Sequence, residues 1–468
     1  MKHSITFYGG VNTIGGVHII LSNGKKGLLF DLGVTWAWGL FGGAVLPDSE
    51  RALQHYLLTR LAPPVPSIYK EELVKEIPQA VLKDLWKIDE IPQLETIDVF
   101  VSHIHQDHMA LLPFVKEDTK VYMHKDAHAV YKGVAQSGEY PYTDAQVIPL
   151  EDLETVSIDE DFSFKMIEVD HDTPGASGLI IKVGNQRIAF TGDWRKHGRH
   201  ANRIDEFIKH CQKEKVEILL TEGTTLRKET SFVEPIVRNE RDVAEEFGRV
   251  AESAKGLLYV NILARNVERV ADFMMKTKEL GRKLVMDERT ATLWFTATRE
   301  GISYLPEDHP SREIEMEVIR LLNGTNRIVD LPYQTTHIKE IYSNKEEYVM
   351  YLIEERTPLM AELETLGNTA EKSIYFHADG NPLTNKNQIL QNWFQLYSIH
   401  YHYYATGGHA TPEAITSMIE EIKPKVVVPL HSLHPSVVNS KGITKYCPSY
   451  GETISLESFV NKDKVSLV

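Results

Sequence analysis

Ser102-His103-Ile104-His105-Gln106-Asp107-His108 follows the apolar, β-branched run Thr96-Ile97-Asp98-Val99-Phe100-Val101. A strand ending there releases three imidazoles and a carboxylate into one loop. Imidazole nitrogen and carboxylate oxygen suit zinc or a similar divalent ion, provided the donors are deprotonated and converge. A single histidine is more often a satisfied polar residue than a ligand, but donors at this density favour a metallohydrolase over a solvent-facing loop.

The chain has 468 residues, beyond the length at which one core usually keeps growing, so two domains or one domain with a large insertion are expected. Hydrophobic residues make up 42% and charged residues 25%, enough apolar material for a buried core and no bias toward disorder. Cys211 and Cys447 form no CxxC pair, which excludes a zinc ribbon and a disulfide framework and suits a reducing, cytoplasmic setting. The N-terminal Met1-Lys2-His3-Ser4-Ile5-Thr6-Phe7-Tyr8-Gly9-Gly10 lacks the apolar core of a signal peptide. The longest apolar run, Trp36 to Leu46, falls short of the ~20 residues needed to span a bilayer, so it reads as a buried wall and no membrane partner is expected. A net charge of −15 counts against broad affinity for nucleic acid, so any polyanion site must be local, where bound cations reverse the field.

Short β-like runs at Ser4 to Tyr8, Val17 to Leu21 and Gly27 to Phe30 read as a meander. A proline-rich stretch through Pro92 reads as an elaborated loop, an active-site wall. After the histidine cluster come a helix over Met109 to Lys116, a strand Lys120 to His124 and a helix Lys125 to Gln136. Strands Phe162 to Val169, Gly178 to Val183, Arg187 to Thr191 and Val216 to Leu220 follow, with a helix Arg203 to Glu214. From about Asn239 helices and strands alternate, as in a βαβ unit. There the pattern predicts helices over Glu240 to Ala254, Val267 to Leu280, Glu313 to Leu322 and Glu346 to Glu355. Strands are predicted at Leu257 to Ile262, Lys283 to Met286, Arg327 to Leu331 and Ser373 to Phe376. A last helix, Pro412 to Ile422, and strand, Val426 to Pro429, close the chain.

Further donors stand at expected strand ends: Asp31 after Leu28-Leu29-Phe30, His171 after the strand ending at Val169, and Asp193 in Thr191-Gly192-Asp193. Each alone reads equally well as a turn or loop residue. Taken together, Asp31, the His103/His105/Asp107/His108 signature, His171 and Asp193 resemble the metallo-β-lactamase fold superfamily. Leu219-Leu220-Thr221-Glu222-Gly223-Thr224, Ala405-Thr406-Gly407-Gly408-His409-Ala410 and Lys425-Val426-Val427-Val428-Pro429-Leu430-His431 resemble the three extra motifs of the β-CASP nucleases. Among these, ribonuclease J is the nearest likeness, and Asn266-Val267-Glu268-Arg269-Val270 also resembles its pattern.

The resemblance implies an α/β fold: an αββα metallo-β-lactamase sandwich with an inserted three-layer α/β β-CASP domain. It divides the chain into residues 1–224, an insertion over 225–395, and a return over 396–468. It implies two divalent ions, zinc first and manganese second. His103, His105 and His171 would hold one, and Asp107, His108 and His431 the other, with Asp193 bridging and Asp31 supporting the ligands. Glu222 would orient His409 near the scissile phosphate, and Gly407 and Gly408 would let backbone N–H groups approach that phosphate. Asp107 or Asp193 would accept the proton of the attacking water. The implied activity is zinc-dependent hydrolysis of nucleic-acid phosphodiester bonds, exo- or endonucleolytic, on single-stranded RNA or, as second choice, DNA.

Glu222 stands where the family carries aspartate, Asp379-Gly380-Asn381-Pro382 replaces a different loop, and the chain stops soon after His431. The usual C-terminal oligomerisation domain is therefore expected to be absent, which leaves homo-oligomerisation open. Two other readings stay open here. One is a metallohydrolase of a small ester, lactone, thioester or cyclic phosphodiester with the insertion as a specificity cap; the other is a non-catalytic scaffold. Arg195, Lys196 and Arg199 read as a solvated charged loop, with phosphate contact as the lesser alternative, and the His400–Tyr403 alternation as a two-faced strand.

Overall fold

A computed structural model describes residues 3–35, 50–228, 238–319, 330–352, 356–367, 370–380, 382–384 and 387–461. The Trp36 to Leu46 run lies outside the described residues, as does Asn381.

The alternating apolar residues of the early strands face two ways, as the two-residue period of a strand requires. Ile5, Phe7, Ile19, Leu21, Leu28, Phe30 and Phe100 point inward, against Phe164, Met166, Leu179, Ile181, Phe190, Leu220 and Val428 of a second sheet. The two sheets have seven strands each, and burial of these side chains between them, roughly 1.5–3 kcal/mol apiece, holds the sandwich together. In the first sheet, Glu452–Ser455, Ser4–Phe7, Ile19–Ser22 and Lys26–Phe30 are antiparallel neighbours, followed by parallel Thr96–Phe100, Lys120–His124 and Gln146–Leu150. In the second, parallel Thr444–Lys445, Val426–Leu430, Ile218–Glu222 and Gln186–Phe190 continue into the antiparallel Ser177–Val183, Phe162–Glu168 and Thr155–Asp159.

Helices cover both outer faces. Asn202–Glu214 and Pro412–Ile422 place Ile204, Phe207, Ile208, Ile415 and Ile419 on the outside of the second sheet. On the first sheet Leu53, Leu57, Leu82 and Trp86 pack over Ile20, Leu29 and Val99. The proline-rich stretch, expected as an active-site wall, therefore forms this outer layer wherever it is described. Its apolar residues sit at helical spacing in Ala52–Leu58 and Gln79–Trp86 and are buried against the sheet.

A third seven-stranded sheet, wholly parallel, runs in the order Gln334–Thr336, Glu317–Ile319, Lys283–Asp287, Tyr348–Tyr351, Leu258–Asn261, Ile374–His377, His400–Tyr403. Its helices start on side-chain caps: Asn239 for Glu240–Ala251, Asn266 for Val267–Glu279 and Asp287 for Glu288–Arg299 each accept a backbone N–H. Apolar cores lie on both faces, giving the three layers. His400–Tyr403 belongs to this sheet and so carries it past the boundary expected at 395.

Several elements differ from the sequence expectation. Glu313 to Leu322 and Glu346 to Glu355 hold no α-helix where described; beyond the ends of two 3-10 turns, Pro310–Glu313 and Lys345–Glu347, they carry the strands Glu317–Ile319 and Tyr348–Tyr351 of the parallel sheet, both largely buried. A strand so buried shows no period-two pattern. Met109 to Lys116 holds only the end of a short helix, Gln106–Met109, and a 3-10 turn at Leu112–Phe114. No helix among the described residues is long and apolar enough to cross a membrane.

Candidate metal centre

The donors leave the C-terminal ends of strands on one edge of the sandwich: Asp31 after Phe30, His103 to His108 after Phe100, His171 after Glu168, Asp193 after Phe190, Glu222 at its strand's last position and His431 after Leu430. Parallel strands from both sheets end together there, which is where α/β folds gather side chains from distant sequence. Two of these residues stand in the left-handed region without being glycine, Asp31 at φ 56° and His431 at φ 49°. Strain of this kind persists where surrounding bonds over-determine it. Asp31 N–H donates to Phe100 O at 2.8 Å, and His431 N–H to Gly10 O at 2.8 Å.

The side chains form two sets joined at one carboxylate. His103 Nε2 and His171 Nε2 lie 3.1 and 3.4 Å from His105 Nδ1. On the other side, His431 Nε2 is 3.1 Å and His108 Nε2 3.7 Å from Asp107 Oδ2. Asp193 Oδ2 reaches both sets, at 3.9 Å from His103 Nε2, 3.2 Å from His108 Nε2 and 3.5 Å from His431 Nε2.

Each imidazole is held by its other nitrogen. His103 Nδ1 donates to Ser102 Oγ at 3.0 Å, and that hydroxyl donates to Asp31 Oδ2 at 2.9 Å. His108 Nδ1 donates to Asp31 Oδ2 at 2.8 Å, His171 Nδ1 to Gly408 O at 2.6 Å and His431 Nδ1 to Thr224 Oγ1 at 2.7 Å. His105 Nε2 lies 3.2 Å from Asp172 Oδ1. In His103, His108, His171 and His431 this arrangement turns the other nitrogen toward the cluster, the orientation that ligand histidines require.

Protonation follows the same division. Burial, with the neighbouring imidazoles, pushes His103 well below its ordinary value, and His171 falls to about 4, so both are neutral and able to ligate. Burial opposes ionisation of Asp107 and Asp193, yet the surrounding histidines hold both carboxyls below the usual range. Burial also opposes charge on His108, but Asp193, Asp107 and Asp31 together raise it well above normal. His108 Nε2 and Asp193 Oδ2 are buried with no hydrogen-bond partner. A set of inward lone pairs and carboxylate oxygens with such orphans fits divalent cations better than it fits an empty protein interior.

Glu222 and His409 complete the site. Glu222 Oε1 is 3.4 Å from His409 Nδ1 and accepts Ala410 N–H at 3.0 Å, while Oε2 accepts Thr224 N–H at 3.0 Å. His409 Nδ1 is also 3.5 Å from Asp193 Oδ2. Gly407 and Gly408, expected to turn N–H groups toward a phosphate, make their observed contacts through carbonyls. Gly407 O accepts from Arg195 at 3.2 Å and from His197 at 3.0 Å, and Gly408 O accepts from His171. A Cβ on Gly408 would stand 2.5 Å from Asp172 Oδ2 and 2.6 Å from His171 Cε1, so only glycine lets this loop settle on the ligand histidine.

Asp172 was not singled out in the sequence; a carboxylate directly after a candidate ligand histidine is the signal that would have found it. Arg195, read as part of a solvated loop, is buried and ion-paired with Asp170 and Glu240. Lys196 and Arg199 are likewise paired, with Asp205 and Asp272.

Residues 77–244 match the family described as the beta-lactamase superfamily domain. That match covers the histidine cluster but not the whole sandwich, whose first and last strands lie outside it. The superfamily segment holds the His103–His108 cluster, His171, Asp193 and Glu222, whereas Asp31, His409 and His431 fall outside the matched residues. Among curated proteins, the chain is similar to ribonuclease J of Helicobacter pylori strain 26695, 21% identical over 453 residues, covering 95% of this chain and 58% of that one. Ribonuclease J of Thermus thermophilus is 21% identical over 218 residues, 44% of this chain and 36% of the relative. Integrator complex subunit 11 of Danio rerio is 28% identical over 148 residues, 27% of this chain and 24% of the relative. The chain thus spans less than two thirds of the length of these relatives. A crystal structure of a protein of unknown function from Enterococcus faecalis V583 superposes with a TM-score of 0.77 at 23% identity, over 97% of this chain and all of that one, and so shares the fold of both the superfamily segment and the parallel sheet.

Proposed function

We propose that this protein hydrolyses phosphodiester bonds of nucleic acid with two divalent cations, zinc or manganese, and that its substrate is single-stranded RNA before DNA. The observation that carries the reading is Asp193 Oδ2 lying between two donor sets, with His409, backed by Glu222, on the same oxygen. His103, His105 and His171 would hold one cation, Asp107, His108 and His431 the other, and Asp193 both. When bound, such a pair neutralises the phosphodiester and acidifies water near neutral pH.

The protein's own groups divide the remaining work. Asp107 or Asp193, held as carboxylates, accepts the proton of the attacking water. Burial opposes a proton on His409, but Glu222 first, then Asp193, raise it to about 10, so it stands as an imidazolium. With Nδ1 facing Glu222, Nε2 is the atom that donates to the departing oxygen. The wholly parallel sheet serves as the β-CASP insertion, beginning near residue 225 and running through Tyr403, and its loop back to the sandwich brings His409. Likeness to proteins named ribonuclease J supports RNA as the polymer. We place the protein in the cytoplasm.

Single-stranded RNA and DNA, with and without a 5′-phosphate, incubated with zinc or manganese test this. Cleavage by the wild type that disappears in His103→Ala together with bound metal is the expected result. Turnover of small chromogenic esters but no oligonucleotide would move the assignment to a small-molecule hydrolase.

A further inference from the structure

Arg195 stands two residues after Asp193 and is only 2% exposed. A buried guanidinium without partners is strongly destabilising, so the partners state its purpose. Nε donates to Asp170 Oδ1 at 3.3 Å, and NH1 donates to Glu240 Oε2 at 2.7 Å and to Gly407 O at 3.2 Å. Glu240 begins the first helix of the third-sheet region. From the other side Arg269 grips it with a fork, Nε on Oε1 and NH2 on Oε2, at 2.7 Å each. Arg269 also donates from Nη1 to Ala378 O at 2.6 Å and from Nη2 to Thr406 O at 3.2 Å.

One buried Arg–Glu–Arg bridge therefore touches Asp170, the neighbour of His171, and two consecutive carbonyls, those of Thr406 and Gly407, just ahead of His409. A well-packed apolar filling of similar volume is often as stable as a buried ion triad. What apolar side chains cannot do is hold adjacent peptide carbonyls at defined points. Lysine would not do it either, since the rigid guanidinium fork is what spans a carboxylate and a carbonyl together.

We propose that Arg195 and Arg269, joined through Glu240, are positioning residues that fix the Thr406–His409 segment over the ligand cluster, and so set the placement of His409 for the reaction. The proposal rests on the role given to His409 above. The bridge spans the superfamily sandwich and the parallel-sheet region, so it also ties their relative placement to the geometry of the site. Misplacement of a reacting group by about 1 Å costs on the order of 100-fold in rate.

The test uses the full chain, with its metal, as wild type, Arg195→Lys, Arg269→Lys and Glu240→Gln. Hydrogen exchange is read at residues 404–411, which include the bonded amides of Tyr404 and Ala410, and at 99–110 as internal reference. Faster exchange at 404–411 with unchanged exchange at 99–110 and unchanged metal content is expected. This arm does not depend on any substrate, so it remains decisive even if the nuclease assay is negative. On a cleaved oligonucleotide, kcat falls about 10–100-fold with little change in KM, and the same substitutions made in His409→Ala cost almost nothing further. Unchanged exchange at 404–411, acceleration spread equally over both segments in all three variants, or losses that add to that of His409→Ala would overturn the proposal.

Discussion

Glu222 Oε1 lies 3.4 Å from His409 Nδ1 and 3.0 Å from the amide nitrogen of Ala410, so one carboxylate oxygen holds both the ring and the backbone of the loop that returns from the parallel sheet. The pair is electrostatically reciprocal. Burial opposes both charges, yet His409 keeps the Glu222 carboxyl below its ordinary value while Glu222 raises the imidazole to about 10.

That reciprocity sets the first prediction. Activity that needs the imidazolium is present below the pKa of His409 and lost above it. Glu222→Gln removes the charge that raises this pKa, so the basic limb of kcat should move to lower pH, with a loss of about 10–100-fold on the alkaline side. A pH–rate profile reads this directly, and an unmoved basic limb would remove His409 from proton transfer.

Asp172→Asn bears on metal retention. The carboxylate 3.2 Å from His105 Nε2 faces that ring from beside the cluster and helps to orient it. Loss of such a partner typically weakens metal affinity about 10–100-fold. Chelator competition should show one of the two metal equivalents weakened and the other unchanged; equal loss of both would mean that Asp172 does not act through His105.

Asp31→Ala should destabilise the apo-protein by about 3 kcal/mol or more, because Ser102 N–H and His108 Nδ1 both lose a buried acceptor. Asn at this position keeps the shape and tolerates φ 56°, so Asp31→Asn should lose less. Urea unfolding with chelator present separates this cost from loss of metal.

Glu240 gives a pH dependence of stability. Burial opposes its charge, but Arg269 and Arg195 lower its carboxyl from 4.5 to about 2. A depressed folded pKa contributes stability above the unfolded value, here on the order of 3 kcal/mol, which disappears as pH falls from about 4.5 to about 2. In Glu240→Gln, unfolding midpoints measured across that range should fall less steeply than in the wild type.

The edge of the sandwich was legible because its donors follow short apolar runs, and the turn after a strand is where a chain exposes polar side chains. The parallel sheet was legible in kind but not in detail. Tyr348–Tyr351 and Glu317–Ile319 are largely buried, so period cannot distinguish them from a buried helix turn, and the glutamates around them raise helical propensity. Arg195 misled for a different reason. Its neighbours Lys196, His197 and Arg199 look like a solvated basic loop, and only tertiary structure brings Asp170 and Glu240 to neutralise it. Asp172 gives no signal of its own in the sequence, because it stands in a turn-rich segment where carboxylates are common.

The last strands of the chain finish what its first strands begin: Glu452–Ser455 pairs with Ser4–Phe7, and Val426–Leu430 carries His431 to Asp107. On a translating ribosome the His103–His105–His171 set is made early, whereas the partner set waits for His431 to emerge. A chain stopped ahead of Val426 would leave Asp107 without His431 and the edge of Ser4–Phe7 without its partner strand.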